Sequence, residues 1–288
     1  MNEADPGHGS RFGTRWNPPA RNAFDRFVRR FGKLTHVSAV LALYAIAALA
    51  IGLALAPALW LLDAWLPWAH AFGDWRRWPL AGIGFGLAFF VAGFALLLVL
   101  PLFNLLLPTR PKAFAGGYFS ADAVPWGLHN GLFYVARYTF LPFVTLTPFG
   151  PWFLRAMGMK IGARAFINTE FISDPRLIEV GEDAVVGGSV HLFAHYGGGG
   201  HLTIAPVRIG ARATLGQGAT LMGGVEVGDD ALVLPHSVVL PGTRIAAGEV
   251  WGGVPARRMD HAEIDALRQG DHRHAASPAA PQCSSDPD

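Results

Sequence analysis

Residues 209–256 read IGARAT LGQGAT LMGGVE VGDDAL VLPHSV VLPGTR IAAGEV WGGVPA, eight blocks of six without a gap. The blocks open on Ile209, Leu215, Leu221, Val227, Val233, Val239, Ile245 and Trp251. Gly210, Gly216, Gly228 and Gly252 follow their lead residue directly, and Ala213, Ala219, Ala231, Ser237 and Thr243 stand four places after theirs. A period of six fits neither a helix of about 3.6 residues per turn nor a meander of hairpins. It fits a stacked β-solenoid, in which each block offers one large apolar side chain to the interior, one small residue to a tight corner and polar residues to water. A single block buries almost nothing, so such a stack is stabilised nearly additively by contacts between neighbouring coils.

Upstream, Ile161-Gly162, Ile167, Leu177-Ile178-Glu-Val180-Gly181 and Val186-Gly187 continue the pattern with imperfect spacing. The period is broken between His191 and Val207 by His191-Leu-Phe-Ala-His195-Tyr196, four glycines and His201-Leu-Thr-Ile-Ala-Pro206-Val207. An insertion leaves a solenoid as a surface loop, commonly on the binding face, and a glycine run lets backbone approach a ligand closely. Its three histidines carry the side chain best suited to move a proton near neutral pH. His195 is the candidate base, with His191 and His201 as helpers that orient base or substrate. No carboxylate lies within ten residues of His195, so no acidic partner for its ring is visible locally.

The remainder of the chain bears the mark of a membrane. Of 288 residues, 51% are apolar and 15% charged, and the mean hydropathy is positive. Val37–Leu62 and Leu80–Leu107 run 26 and 28 residues without a charge, each longer than the ~20 needed to cross a bilayer as a helix. Between them Asp63, Asp74, Arg76 and Arg77 stand among Trp65, Trp68, Trp75 and Trp78, a short polar loop with interfacial aromatics. Pro57 and Pro101 are tolerable within membrane helices. Seven basic residues, Arg11 to Lys33, precede the first span, and Arg110 and Lys112 follow the second. The positive-inside rule therefore puts both termini and the solenoid in the cytoplasm. That placement also explains the basic arm without invoking nucleic acid. The single cysteine, Cys283, excludes an internal disulfide.

These features resolve the chain into a basic flexible arm (1–34), a two-helix transmembrane hairpin (35–108), a membrane-interfacial helical linker (109–158), a β-helix (159–258), and a short helix with a disordered tail (259–288). The linker combines Asp122, His129, Asn130 and Arg137 with many aromatic residues, and Pro142, Pro148 and Pro151 interrupt it. It reads equally as helices at the lipid interface or as packing on the base of the solenoid.

The hexads, together with the closing Trp251-Gly252-Gly253-Val254-Pro255-Ala256-Arg257, resemble the hexapeptide-repeat acyltransferases. Residues 80–256 are similar to membrane-linked hexapeptide domains at the ends of some non-ribosomal peptide synthetases. The resemblance implies a left-handed parallel β-helix with three blocks per triangular coil, a homotrimer, and acyl-CoA, usually acetyl-CoA, lying along the solenoid between subunits. His195, fifteen residues before Gly210, matches the position of the family's histidine base. It would deprotonate a hydroxyl or amine acceptor for direct attack on the thioester, with no covalent enzyme intermediate. Gly216, Ser237 and Arg257 become the donor-site residues, with Arg258 and Arg244 weaker candidates. One departure is Ser237-Val-Val-Leu240-Pro241, where many members read Ser-x-Val-Thr-Lys. The membrane hairpin narrows the acceptor to a glycan, a lipid-linked precursor or a peptide at the inner membrane. Two other readings stand beside this one: a non-catalytic scaffold built on the β-helix, and a zinc enzyme similar to the trimeric carbonic anhydrases. Against zinc, the regular repeat holds only His236, and no metal is expected.

Overall fold

A computed structural model describes residues 23–118, 120, 123–260 and 262–266. Helix α1 (Ala23–Arg30) leads into α2 (Gly32–His70) and α3 (Asp74–Leu106). The basic arm thus becomes helical from Ala23, and its first 22 residues lie outside the described residues. Both long helices overrun the charge-free stretches, because Asp63, Trp65 and Trp68 continue α2 and Trp75, Arg76 and Arg77 begin α3. The expected polar loop shrinks to residues 71–73. Pro57, Pro67, Pro79 and Pro101 all stand inside helices.

The two helices are long and apolar enough to cross a membrane. Ala50, Ala54 and Ala58 are buried on α2, and Ala88, Leu97 and Leu100 on α3. Trp65 donates its indole N–H to the Leu80 carbonyl (2.8 Å) and lies across Gly84, where a Cβ would come within 2.4 Å of the ring. Leu41, Trp60, Phe85 and Leu98 are among the large apolar side chains left outward.

Residues 160–258 form three parallel sheets wound as a β-helix. The first sheet stacks Lys160–Ile161, Ile178–Val180, Val207–Ile209, Glu226–Val227 and Arg244–Ile245. The second stacks Phe166–Ile167, Val185–Val186, Thr214–Leu215, Leu232–Val233 and Val250–Gly253, closed by the antiparallel Ala256–Arg258. The third stacks Ile172–Ser173, His191–Phe193, Thr220–Leu221 and Val238–Val239. Within the hexads Ile209 pairs with Val227, Leu215 with Val233 and Leu221 with Val239, so three blocks make one coil. Every lead residue from Ile209 to Ile245 is buried, and half-buried Trp251 caps the column. Ala213, Ala219, Ala231 and Ser237 are buried too, filling the corners.

The glycine after the lead residue has a steric cause. A Cβ at Gly162, Gly181 or Gly210 would lie 2.5 Å from the backbone nitrogen of the coil above. On the outer face of the first sheet Lys160, Glu179, Arg208, Glu226 and Arg244 alternate in sign and pair up the column. These are exposed pairs, each worth about 0–1 kcal/mol.

The linker supplies one strand, Phe114–Gly117, and three helices: α4 (Ala123–Arg137), α5 (Leu141–Val144) and α6 (Phe149–Ala156). The strand belongs to a part of the chain expected to be helical. α4 is shared between the two halves of the molecule. Leu132, Phe133 and Ala136 join the core that continues into α2 and α3, while Trp126, Asn130, Tyr134 and Arg137, spaced three and four apart along one helix face, hydrogen bond to residues 172–174 of the first coil.

The insertion is more ordered than a surface loop. His191–Phe193 completes the third sheet, and only then does the chain leave the stack as an antiparallel hairpin, His195–Gly198 with His201–Ile204, turning at Gly199 (φ 57) and Gly200 (φ 83). The linker strand Phe114–Gly117 pairs with the hairpin's second strand. Leu202 and Ile204 bury a satellite core with Ala123, Phe114, Trp126 and Leu177.

Candidate active site

The hairpin leaves the solenoid at the corner between the third and first sheets. One coil earlier the same corner is made by Asp174 and the short 3-10 turn Pro175–Leu177, and one coil later by residues 222–224, where a Cβ on Gly223 would touch the His195 backbone at 3.1 Å. Stacking therefore brings His195 beside Asp174, 21 residues away in sequence. The His195 ring presents Nδ1 to Asp174 Oδ2 at 2.6 Å. Asp174 is fully buried, and the His195 side chain is 25% exposed.

The carboxylate is surrounded by donors from α4. Its Oδ1 accepts the indole N–H of Trp126 (2.6 Å) and the side-chain amide of Asn130. The Asp174 backbone N–H donates to Asn130 Oδ1 (2.9 Å), and its carbonyl accepts from the Leu177 N–H (2.8 Å). A buried carboxylate is tolerated only when hydrogen bonds replace its water, and three side chains do so for this one. With Asp174 accepting from Nδ1–H, the His195 lone pair sits on Nε2, the tautomer a general base requires. Trp126 packs edge-on against the imidazole at 5.2 Å, which limits its rotation.

Beside this pair lies a second polar cluster. Tyr134 and Ser173 share a hydrogen bond of 2.7 Å, and the Arg137 guanidinium approaches Ser173 (3.3 Å) while lying over Tyr134 and Phe171. Burial pushes the Tyr134 phenol up from its ordinary value, so it is a neutral hydrogen-bonding group at pH 7. His129, on an adjoining face of α4, is fully buried with Nδ1 2.8 Å from Asn104 Oδ1. Burial lowers it to about 4, so it stays neutral.

The three expected histidines part company. His191 stacks on Phe171 (4.7 Å) and meets Phe193 (5.7 Å), away from Asp174. His201 pairs with Gly198 at the far end of the hairpin, while Ile204 is the partner of His195. At ~3.3 Å per residue that is about 10 Å along the strand. His191 reaches toward His195 through Phe193, which meets both rings. The carboxylate against the His195 ring is that of Asp174, 21 residues away and so outside the local window in which none was visible. Among the described residues no three His, Cys, Asp or Glu side chains converge.

Of the expected donor-site residues, Ser237 is buried and its Oγ accepts the Gly253 N–H (3.2 Å). It shapes the terminal turn from inside. Gly216 lies at a coil contact, where a Cβ would come within 2.5 Å of the Pro235 nitrogen. Arg257 is exposed and paired with Glu263, whose carboxyl it holds at about 2, and Arg258 pairs with Glu249 (3.2 Å). A cavity of about 510 Å³ opens beside this turn, lined among others by Leu234, Gly252, Val254, Pro255 and Arg257.

No protein-family model matches the chain. Over 126 residues, 42% of its length, it is 28% identical to a delta-poly-L-ornithine synthetase of Acinetobacter baumannii, covering 9% of that protein. Over 47 residues it is 53% identical to the mitochondrial gamma carbonic anhydrase 2 of Arabidopsis thaliana, covering 17% of it. The chain thus spans only a small part of the curated relatives it matches. Among solved structures it is similar to a galactoside acetyltransferase in complex with coenzyme A (18% identity, 42% of this chain and 76% of that one, TM-score 0.35). A hexapeptide-repeat acetyltransferase of Vibrio cholerae complexed with acetyl coenzyme A is similar at 16% identity, over 43% and 85% of the two chains, with TM-score 0.36.

Proposed function

We propose that the chain is a hexapeptide-repeat acyltransferase that moves an acyl group, acetyl in the simplest case, from acyl-CoA to a hydroxyl or amine. The observation that carries this reading is the His195–Asp174 pair, a quarter-exposed imidazole whose Nδ1 is held by a buried carboxylate. His195 Nε2 takes the proton of the acceptor as its oxygen or nitrogen attacks the thioester carbonyl. The tetrahedral oxyanion collapses, the C–S bond breaks, and the imidazolium returns the proton to the coenzyme A thiolate. Atoms and charge balance without a covalent enzyme intermediate. Asp174 stabilises the imidazolium while that charge exists.

The cavity beside the Gly252–Pro255 turn offers an apolar wall to the donor, and Arg257 and Arg258 supply cations for its phosphates once they exchange partners. The apolar outward faces of α2 and α3 suit inner-membrane lipid, with both termini and the β-helix on the cytoplasmic side. A left-handed helix and a trimer follow from the same family reading. The acceptor is then a glycan, lipid-linked precursor or peptide that reaches a site close beneath the membrane.

The test is turnover of acetyl-CoA by the full chain in detergent with a panel of hydroxyl and amine acceptors, beside His195→Ala. Acceptor-dependent release of free coenzyme A, lost in the variant, supports the reading. Absence of donor binding in the wild type would point to a scaffold instead.

A further inference from the structure

Asn130 makes an unusual pair of contacts with a single residue. Its carbonyl oxygen accepts the backbone N–H of Asp174 (2.9 Å), and its amide nitrogen donates to the carboxylate of the same residue. Asp174 itself sits at φ 63, in the left-handed region that residues other than glycine rarely adopt. A primary amide is the side chain that offers both an acceptor for the N–H and a donor for the carboxylate at this reach. The clamp therefore fixes the backbone and the charged group of Asp174 together. Trp126 adds a second donor to the same oxygen, and Asn130 Nδ2 also reaches the Trp126 carbonyl at 3.4 Å.

We propose that Asn130 is a positioning residue: by clamping Asp174 in its left-handed conformation, it holds the carboxylate on His195 Nδ1 and so sets the orientation of the His195 ring. The residue belongs to α4, 44 positions before Asp174, and to neither the solenoid nor the hairpin. An adjoining face of α4 is anchored on α3, where His129 meets Asn104 and Thr109 donates to the same Asn104 side chain (2.7 Å). The proton-transfer geometry is thereby tied to the seating of one helix between the apolar pair and the β-helix. For its kinetic consequence this rests on the acyltransferase reading, whereas the structural consequence does not.

The experiment compares wild type, Asn130→Ala, Asn130→Asp and Tyr134→Phe as full chains in detergent. Its primary readout is the far-downfield proton resonance of a ring Nδ1–H bonded to a carboxylate, assigned by its disappearance in His195→Gln. Wild type and Tyr134→Phe are expected to show it. Both Asn130 variants are expected to lose it, Ala by removing the clamp and Asp by replacing the donor with a second negative charge. Tyr134 lies on the same helix face, so a general loosening of α4 would remove the signal from its variant as well. Where turnover is measurable, kcat should fall about tenfold to a hundredfold in the Asn130 variants with the KM for acetyl-CoA unchanged. Persistence of the resonance in a folded Asn130 variant, or its equal loss in Tyr134→Phe, overturns the proposal. Should Asn130→Ala fail to fold, the closely isosteric Asn130→Asp decides alone. Should wild type turn over no donor, the acyltransferase reading fails while the resonance still decides the clamp.

Discussion

The coils from Ile209 onward and the coils before it obey different rules. In the later ones partners stand a constant 18 residues apart, as in Ile209–Val227 and Leu215–Val233. In the earlier ones the step is 19 from Ile161 to Val180 and 20 from Ile172 to Leu192, then 29 from Val186 to Leu215, where the hairpin is inserted. The regular half has a continuous buried column and few polar groups to satisfy inside it. The irregular half contains the buried carboxylate of Asp174 and the antiparallel hairpin. Regularity serves stability, since each coil supports the next. Departure from it opens room for chemistry, because each extra residue puts a side chain where the repeat has none.

The sharpest way to break this contrast is to damage each half separately. His195→Ala should lower kcat/KM by roughly 10²–10⁴, with a smaller loss of about 1–3 kcal/mol in stability from the partner taken away from Asp174 Oδ2. A variant that retains activity would detach the irregular half from catalysis. Leu221→Ala, in the regular column, should do the opposite and cost about 2–5 kcal/mol of stability while leaving turnover per folded molecule unaltered. Chemical denaturation followed by residual activity distinguishes the two.

His129 extends the comparison to pH. Burial holds it at about 4, below its ordinary 6.5, so the unfolded chain takes up a proton before the folded one does. The stability from keeping it neutral is complete above pH 6.5 and is lost as the pH falls toward 4, by at most about 3 kcal/mol. His129→Gln should flatten that part of the unfolding-versus-pH curve, and an unchanged slope would assign the acid sensitivity elsewhere. The smallest effect belongs to the ladder of the first sheet. Arg208→Ala should change stability by no more than about 1 kcal/mol, because its side chain is 55% exposed and its pairs are screened. Raising the salt concentration should erase even that.

How much of this was legible in the residues follows from distance along the chain. The hexads declare themselves because lead residue, glycine and small corner residue recur locally, and each has a local steric cause. The two apolar helices are legible for the same reason, although their ends are not, since Asp63 lies within α2 and Arg76 within α3, beyond the charge-free runs. His195 stands out as a histidine in a break of the repeat. Its partners do not, because Asp174 comes from the preceding coil and Asn130 and Trp126 come from the linker. A signal was present in Trp126, Asn130 and Tyr134, four apart along one helix face within a greasy segment, but it marks a polar contact without naming the residue it meets. His191 and His201 are near His195 in sequence, but the fold sets His191 against Phe171 in the third sheet and His201 three positions along the hairpin from the partner of His195.

The hairpin's alliance with the strand Phe114–Gly117 bears on the order in which the molecule assembles. Coil-on-coil contacts close short loops, whereas Phe114 meets Ile204 and Trp126 meets Asp174 across 48 residues. Loop closure grows costlier with separation, and non-local pairings form late. The linker is synthesised first, then, and waits with an unpaired strand and an unfilled polar face until the coils carrying Asp174 and His195 have wound beneath it. His195 can meet Asp174 as the coils stack, but the Trp126 and Asn130 contacts to Asp174 close across 48 and 44 residues. A refolding experiment that followed the Trp126 part of the fluorescence, taken as the difference from Trp126→Phe, beside backbone circular dichroism should see the indole settle after the β-signal.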